Sequence, residues 1–75
     1  MTATLLDTKG LNCPLPILKV KKAIKDVPSG GTLQVLATDP GAVGDFEAFC
    51  RATGNQLVDW KEDGGVFTFN IRKTA

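Results

Sequence analysis

Apolar residues recur along the chain with two alternating periods, and the changes of period mark out its elements. Leu5 and Leu6 lie in a short segment, Thr4 to Asp7, that reads as a strand ending before Lys9-Gly10. The spacing then becomes helical. At about 100° per residue, Ile17, Val20, Ala23, Ile24 and Val27 share one face, Lys19, Lys22, Lys25 and Asp26 face away, and Lys21 sits at the boundary. Pro28-Ser29-Gly30-Gly31 predicts the end of this helix, because proline cannot continue it and glycine supplies a left-handed turn. Period two returns from Thr32 to Thr38, with Leu33, Val35 and Ala37 on one face and Gln34, Leu36 and Thr38 on the other. Asp39-Pro40-Gly41 predicts a capped start for a second helix, from about Pro40 to Thr53, stopping at Gly54 and burying Val43, Phe46, Phe49 and Cys50. Thr38 to Gly41 lacks a phosphate-loop pattern, so capping rather than anion binding is expected there. Gln56 to Lys61 and Val66 to Arg72 then flank Glu62-Asp63-Gly64-Gly65 as the strands of a hairpin.

The order is therefore β-α-β-α-β-β. Short β-α-β connections favour parallel pairs with right-handed crossovers, which puts both helices on one face of the sheet and leaves the last strand alone running back. Three parallel strands then end at one edge, where the loop around Cys13, the Thr38 to Gly41 turn and the Glu62 to Gly65 hairpin gather. Such an edge is where α/β sheets hold their ligands and chemistry. Continued alternation in the third strand would place Leu36, Val58, Trp60 and Val66 on the uncovered face, and the opposite register would reverse that strand.

Composition narrows the chemistry. Seventy-five residues predict a single domain spanning 1–75 with a small core. Nine Lys and Arg against eight Asp and Glu leave a net charge of +1, too balanced for bulk attraction to nucleic acid or an anionic membrane. Met1 to Asp7 carries no basic region or long apolar run, so a cytoplasmic protein with reduced thiols is expected. The chain contains no histidine, which excludes Cys-His and Ser-His nucleophile pairs. Two cysteines alone do not make a tetrahedral zinc site, and neither metal nor cofactor is expected. Any covalent chemistry must use a thiol without a histidine base.

Gly10-Leu11-Asn12-Cys13-Pro14-Leu15-Pro16 answers that requirement. With Asn12 or Cys13 at the cap and Pro14 at the first helical position, Pro16 still lies in the first turn, where a missing N–H costs little. The prolines delete two of the unpaired N–H groups at the helix start and leave those of Leu15 and Ile17. The positive helix terminus stabilises a thiolate, lowering a cysteine pKa from about 8.5 toward neutrality. From the residues alone, Cys13 is either such a reactive thiol or a tolerated cap. Cys50, on the Phe46 and Phe49 face, reads as a small core residue. It lies ~15 Å along its helix from the shared sheet edge at 1.5 Å per residue. No disulfide with Cys13 is expected, because a disulfide needs Cα atoms within about 7 Å.

Taken with the basic helix, Thr38-Asp39-Pro40-Gly41, Asp45-Phe46 to Phe49-Cys50, Thr53-Gly54-Asn55 and Phe67 to Lys73, this motif resembles the TusA/SirA family of sulfur carriers over nearly the whole chain. The resemblance implies an α/β two-layer sandwich with a mixed four-stranded sheet of order 1-2-4-3 and two helices on one face. It also implies a carrier rather than a turnover enzyme, one that accepts sulfane sulfur as a persulfide from a desulfurase or rhodanese-like donor and relays it to a downstream protein. Cys13 matches the sulfur-carrying position, Pro14 and Pro16 match the flanking prolines, and Cys50 resembles a second cysteine present in some members. Leu15 stands where the tRNA-thiolation carriers have Glu, which removes a negative charge near the sulfur. Cys-Pro-Leu-Pro is more similar to members associated with bacterial sulfur oxidation.

Leu18 falls on the polar side of the first helix among the lysines, which predicts a partner-docking patch of Leu18, Lys19, Lys22 and Lys25. Sulfur-donor and sulfur-acceptor proteins are the expected partners of a monomer, without nucleic acid or membrane. The alternative is a non-catalytic RNA- or protein-binding regulatory module using the same basic face, with Cys13 merely a cap.

Overall fold

The structure, a computed structural model, describes residues 3–12 and 15–74. Its elements are β1 (Ala3–Asp7), α1 (Leu15–Ala23) with a 3-10 turn (Ile24–Asp26), β2 (Thr32–Ala37), α2 (Ala42–Thr53), β3 (Gln56–Asp63) and β4 (Val66–Arg72). The sheet order is β1-β2-β4-β3. β1 and β2 are parallel, while β4 runs antiparallel to both β2 and β3, so the last strand alone runs back.

The core follows the two periodicities. Leu33, Val35 and Ala37 of β2 are buried, as are Phe69 and Ile71 of β4. Val20, Ile24 and Val27 cover them from the first helical segment, and Ala42, Phe46, Phe49 and Cys50 from α2. Phe46 and Phe69 meet at a centroid separation of 4.5 Å with their planes tilted by 51°, inside the range where aromatic pairs gain beyond simple burial.

The ends of the helices differ in detail from the pattern. α1 tightens into its 3-10 turn after Ala23, and Val27 is extended, the conformation that Pro28 imposes on its predecessor. Gly30 then takes φ +86°. At α2, Pro40-Gly41 forms an opening turn before the first α-helical residue, Ala42. Asp39 still serves as its anchor, since Asp39 Oδ1 accepts the Gly41 N–H at 3.0 Å and its carbonyl accepts the Ala42 N–H at 2.9 Å. The expected start at Pro40 with Asp39 as N-cap is therefore corrected: the helix begins at Ala42 behind Gly41, and the Asp39 side chain holds the turn before it.

β3 corrects one expectation. It runs on to Asp63, and Gly64-Gly65, both at positive φ, make a two-residue turn. The register against β4 slips between Leu57 and Asp59, leaving Val58 as the extra residue of a bulge. This slip reverses the phase of the strand. Trp60 pairs with Phe69 and lies against Phe67 and Phe69 at centroid separations of 6.1 and 6.2 Å, on the helix-covered side. Leu36 and Val66 remain on the open face as expected.

Cys50 is a free, buried thiol, and burial pushes its pKa above the ordinary thiol value. The folded chain therefore holds the Cys50 proton more tightly than the unfolded one does. This contribution to stability is complete below the ordinary value of about 8.5 and is lost as pH rises above it. Urea titrations should show the wild-type chain losing its advantage over Cys50→Ala as pH rises through that window.

Candidate functional site

The carboxyl ends of β1, β2 and β3 share one edge of the sheet, and the connection leaving β1 is fastened to the end of β2. Thr8, fully buried, donates both its N–H (2.8 Å) and its hydroxyl (2.5 Å) to the Leu36 carbonyl. Gly10, at φ +83°, donates its N–H to Thr38 Oγ1 at 2.9 Å. Within the connection, Lys9 N–H reaches Asp7 Oδ1 at 2.9 Å and Leu11 N–H reaches the Thr8 carbonyl at 3.2 Å. The Lys9–Asp7 ion pair, 4.0 Å and half exposed, adds little.

Cys13 and Pro14 lie outside the described residues. Their neighbours define the frame between which they fall. Leu15 N–H donates to the Asn12 carbonyl at 2.8 Å. The expectation that the Leu15 N–H faces outward unpaired is thus corrected, because a local carbonyl already holds it. Pro16 is buried in the first turn of α1, so this proline also packs the helix against the fold.

Three of the four expected docking residues converge. Leu18, Lys19 and Lys22 line a shallow groove of about 420 Å³ with Leu6, Leu15 and Ala23, between α1 and β1. Leu15 and Leu18 are 46% and 51% exposed, so the groove presents apolar side chains to solvent and carries two cations at its rim. Lys25 is exposed in the 3-10 turn and does not line the groove.

Sequence reasoning missed Thr8, Gly10 and Thr38 as supports of the Cys13 connection. A threonine and a glycine just after β1, level with a threonine ending the adjacent parallel strand, were the available signal. No group of three or more His, Cys, Asp or Glu among the described residues is arranged to hold a metal ion. No helix among them is long and apolar enough to cross a membrane.

Residues 4–73 match the family described as Sulfurtransferase TusA. The chain is similar to the sulfur carrier protein TusA of Allochromatium vinosum, with 56% identity over 92% of this chain and 91% of that one. It is also similar to the TusA of Pseudomonas putida, with 41% identity over 95% of this chain and 89% of the relative. Among solved structures, a SirA-like protein from Desulfitobacterium hafniense superposes with a TM-score of 0.82, covering 99% of this chain and 100% of that one. At 22% identity that likeness speaks to the fold alone. None of these similarities supports the RNA- or protein-binding module.

Proposed function

Because the chain belongs to the TusA sulfurtransferase family, we propose that it is a sulfur carrier whose Cys13 accepts sulfane sulfur from one protein and surrenders it to another. The observation that carries this reading is the 56% identity to a sulfur carrier protein over 92% of the chain. The Cys-Pro-Leu-Pro element at the start of α1 supports the choice of thiol.

In loading, the Cys13 thiolate attacks the outer sulfur of a donor persulfide. A sulfur–sulfur bond forms at Cys13 as the donor's breaks, and the donor cysteine leaves as a thiolate that takes up a proton. In delivery, an acceptor thiolate attacks the same outer sulfur and Cys13 leaves. Sulfur changes hands with no net oxidation. A cysteine with a lowered pKa is favoured in both steps, being more ionised as attacker and a better leaving group. Pro14 and Pro16 restrict the backbone around it, and Leu15 adds no negative charge to oppose the anion.

The donor is a desulfurase or rhodanese-like protein, and the carrier works as a monomer in the cytoplasm, where its thiol stays reduced. Leu18, Lys19 and Lys22 form the docking surface for donor or acceptor, with Lys25 contributing charge from the following turn. A partner surface with apolar groups and carboxylates fits that groove. Lys22→Glu should slow transfer with the authentic partner by roughly tenfold at low ionic strength, less at high salt. Stopped-flow transfer assays check this, and kinetics unchanged at either salt would remove the docking assignment. The sulfur-carrying assignment itself is tested by intact-protein mass spectrometry after incubation with a desulfurase and cysteine. The expected result is a donor-dependent gain of one sulfur atom that a reductant reverses; no gain would refute it.

A further inference from the structure

The sheet ends in an open edge on either side, β1 and β3, and the two differ in how they are guarded. β3 carries the bulge at Val58 and the charged residues Asp59, Lys61, Glu62 and Asp63, features that keep an edge strand from pairing with another chain. β1 lacks both along most of its length. Its register against β2 is unbroken from Ala3 to Asp7, and charge enters only at its end, where Asp7 meets Lys9. Thr8 directs its N–H to Leu36 of β2. The alternation of a parallel ladder therefore turns the N–H and carbonyl groups of Leu5 and Asp7 outward, where no described residue pairs with them.

The groove between α1 and β1 lies beside this edge. Leu6 lines it with Leu15 and Leu18, whereas Leu5 points to the open face and is 60% exposed. A strand laid about 4.8 Å outside β1 continues its pleat, so side chains level with Leu6 enter the groove and those between them face away. Lys19 and Lys22 are exposed at the same groove, and neither makes an ion pair among the described residues.

We propose that the docking partner enters as a strand. An extended acidic segment of the partner protein pairs with the outer edge of β1 and lays one face, an apolar side chain flanked by carboxylates, in the groove against Leu6, Leu15, Leu18, Lys19 and Lys22. The proposal rests on the docking assignment above and names what docks there. Main-chain bonds to β1 supply affinity, and the groove selects the side chains. The lysines choose an acidic segment over a second copy of this chain. Pairing β1 with β1 about a two-fold axis sets two lysine-bearing grooves side by side on one face of the joined sheet, with no carboxylate among the lining residues to separate the charges.

The probe is an acetylated and amidated peptide, Thr-Glu-Thr-Leu-Thr-Glu-Thr, whose alternation puts Glu, Leu and Glu on one face. Heteronuclear NMR follows its binding to the wild-type chain. The expected result is saturable binding that slows amide exchange at Leu5 and Asp7 and shifts the Leu18 and Lys22 signals. Two further peptides are N-methylated on one or the other alternate set of residues. The set whose N–H groups face β1 should weaken binding by roughly tenfold, the equivalent of about two main-chain hydrogen bonds, and the set facing solvent should leave it unchanged. A peptide with Lys in place of Glu should lose binding to the wild type and regain it with Lys22→Glu. Absence of binding by the Glu peptide, or equal affinity of the two N-methylated forms, overturns strand addition. Protection of Leu5 and Asp7 that rises with chain concentration alone makes the occupant a second copy and overturns it as well. If strand addition fails while Lys22→Glu still slows transfer with the authentic partner, the docking assignment stands without it; transfer indifferent to Lys22→Glu removes that assignment and this proposal together.

Discussion

Phe46→Ala should remove a large share of the stability of this small chain. Phe46 is fully buried at the centre of the contact between α2 and the sheet, with its ring 4.5 Å from that of Phe69, itself fully buried. Truncating a buried phenylalanine costs about 3–5 kcal/mol, combining lost transfer energy with the cavity left behind. At roughly 0.05–0.15 kcal/mol per residue, a 75-residue chain has about 4–11 kcal/mol in total. The loss takes most of that at the lower end. A small domain has few other layers to collapse into the vacancy, and Phe69 lies on β4, the strand that joins β3 to β2. Urea denaturation followed by far-UV circular dichroism checks this. A shift in midpoint equivalent to less than about 1 kcal/mol, the scale of a volume-conserving swap, would show that the Phe46–Phe69 contact does not centre the core.

Much of this fold is legible in the sequence because burial on one side enforces a period. Leu33, Val35 and Ala37 alternate against Gln34 and Leu36, and the structure buries the first set. Val20, Ile24 and Val27 recur at helical spacing and close over them. Trp60 is not legible in the same way. Its side of the sheet depends on the extra residue at Val58, and no pattern of apolar residues announces a bulge on an edge strand whose outer positions are mostly charged. The first turn of α2 is half legible: Asp39 is readable as an anchor, but the regular helix begins only at Ala42, behind Gly41.

The candidate site divides along the same line. Leu18 stands out among lysines because a helix face is a local property, and the groove it forms with Lys19 and Lys22 follows. Lys25 shares that face by angle but falls beyond the point where α1 tightens, so it leaves the groove. Thr8 and Thr38 are invisible as supports until the register of β1 on β2 brings their partners level. Cys13 is singled out by its prolines and by the lack of histidine, which together leave a helix-terminus thiol as the available nucleophile. That its cargo is sulfur comes from family membership.

The second large effect is an all-or-none one. Cys13→Ser replaces the attacking sulfur with an oxygen that forms no persulfide, while changing the volume of one side chain by little. Cys50 is no substitute, because it is buried in the core and its thiol is held protonated by that burial. The most direct measurement is therefore the intact mass of wild-type, Cys13→Ser and Cys50→Ser chains after incubation with a desulfurase and cysteine. The carrier account predicts one added sulfur atom on the wild type and on Cys50→Ser and none on Cys13→Ser; loading that survives Cys13→Ser and vanishes in Cys50→Ser would contradict it.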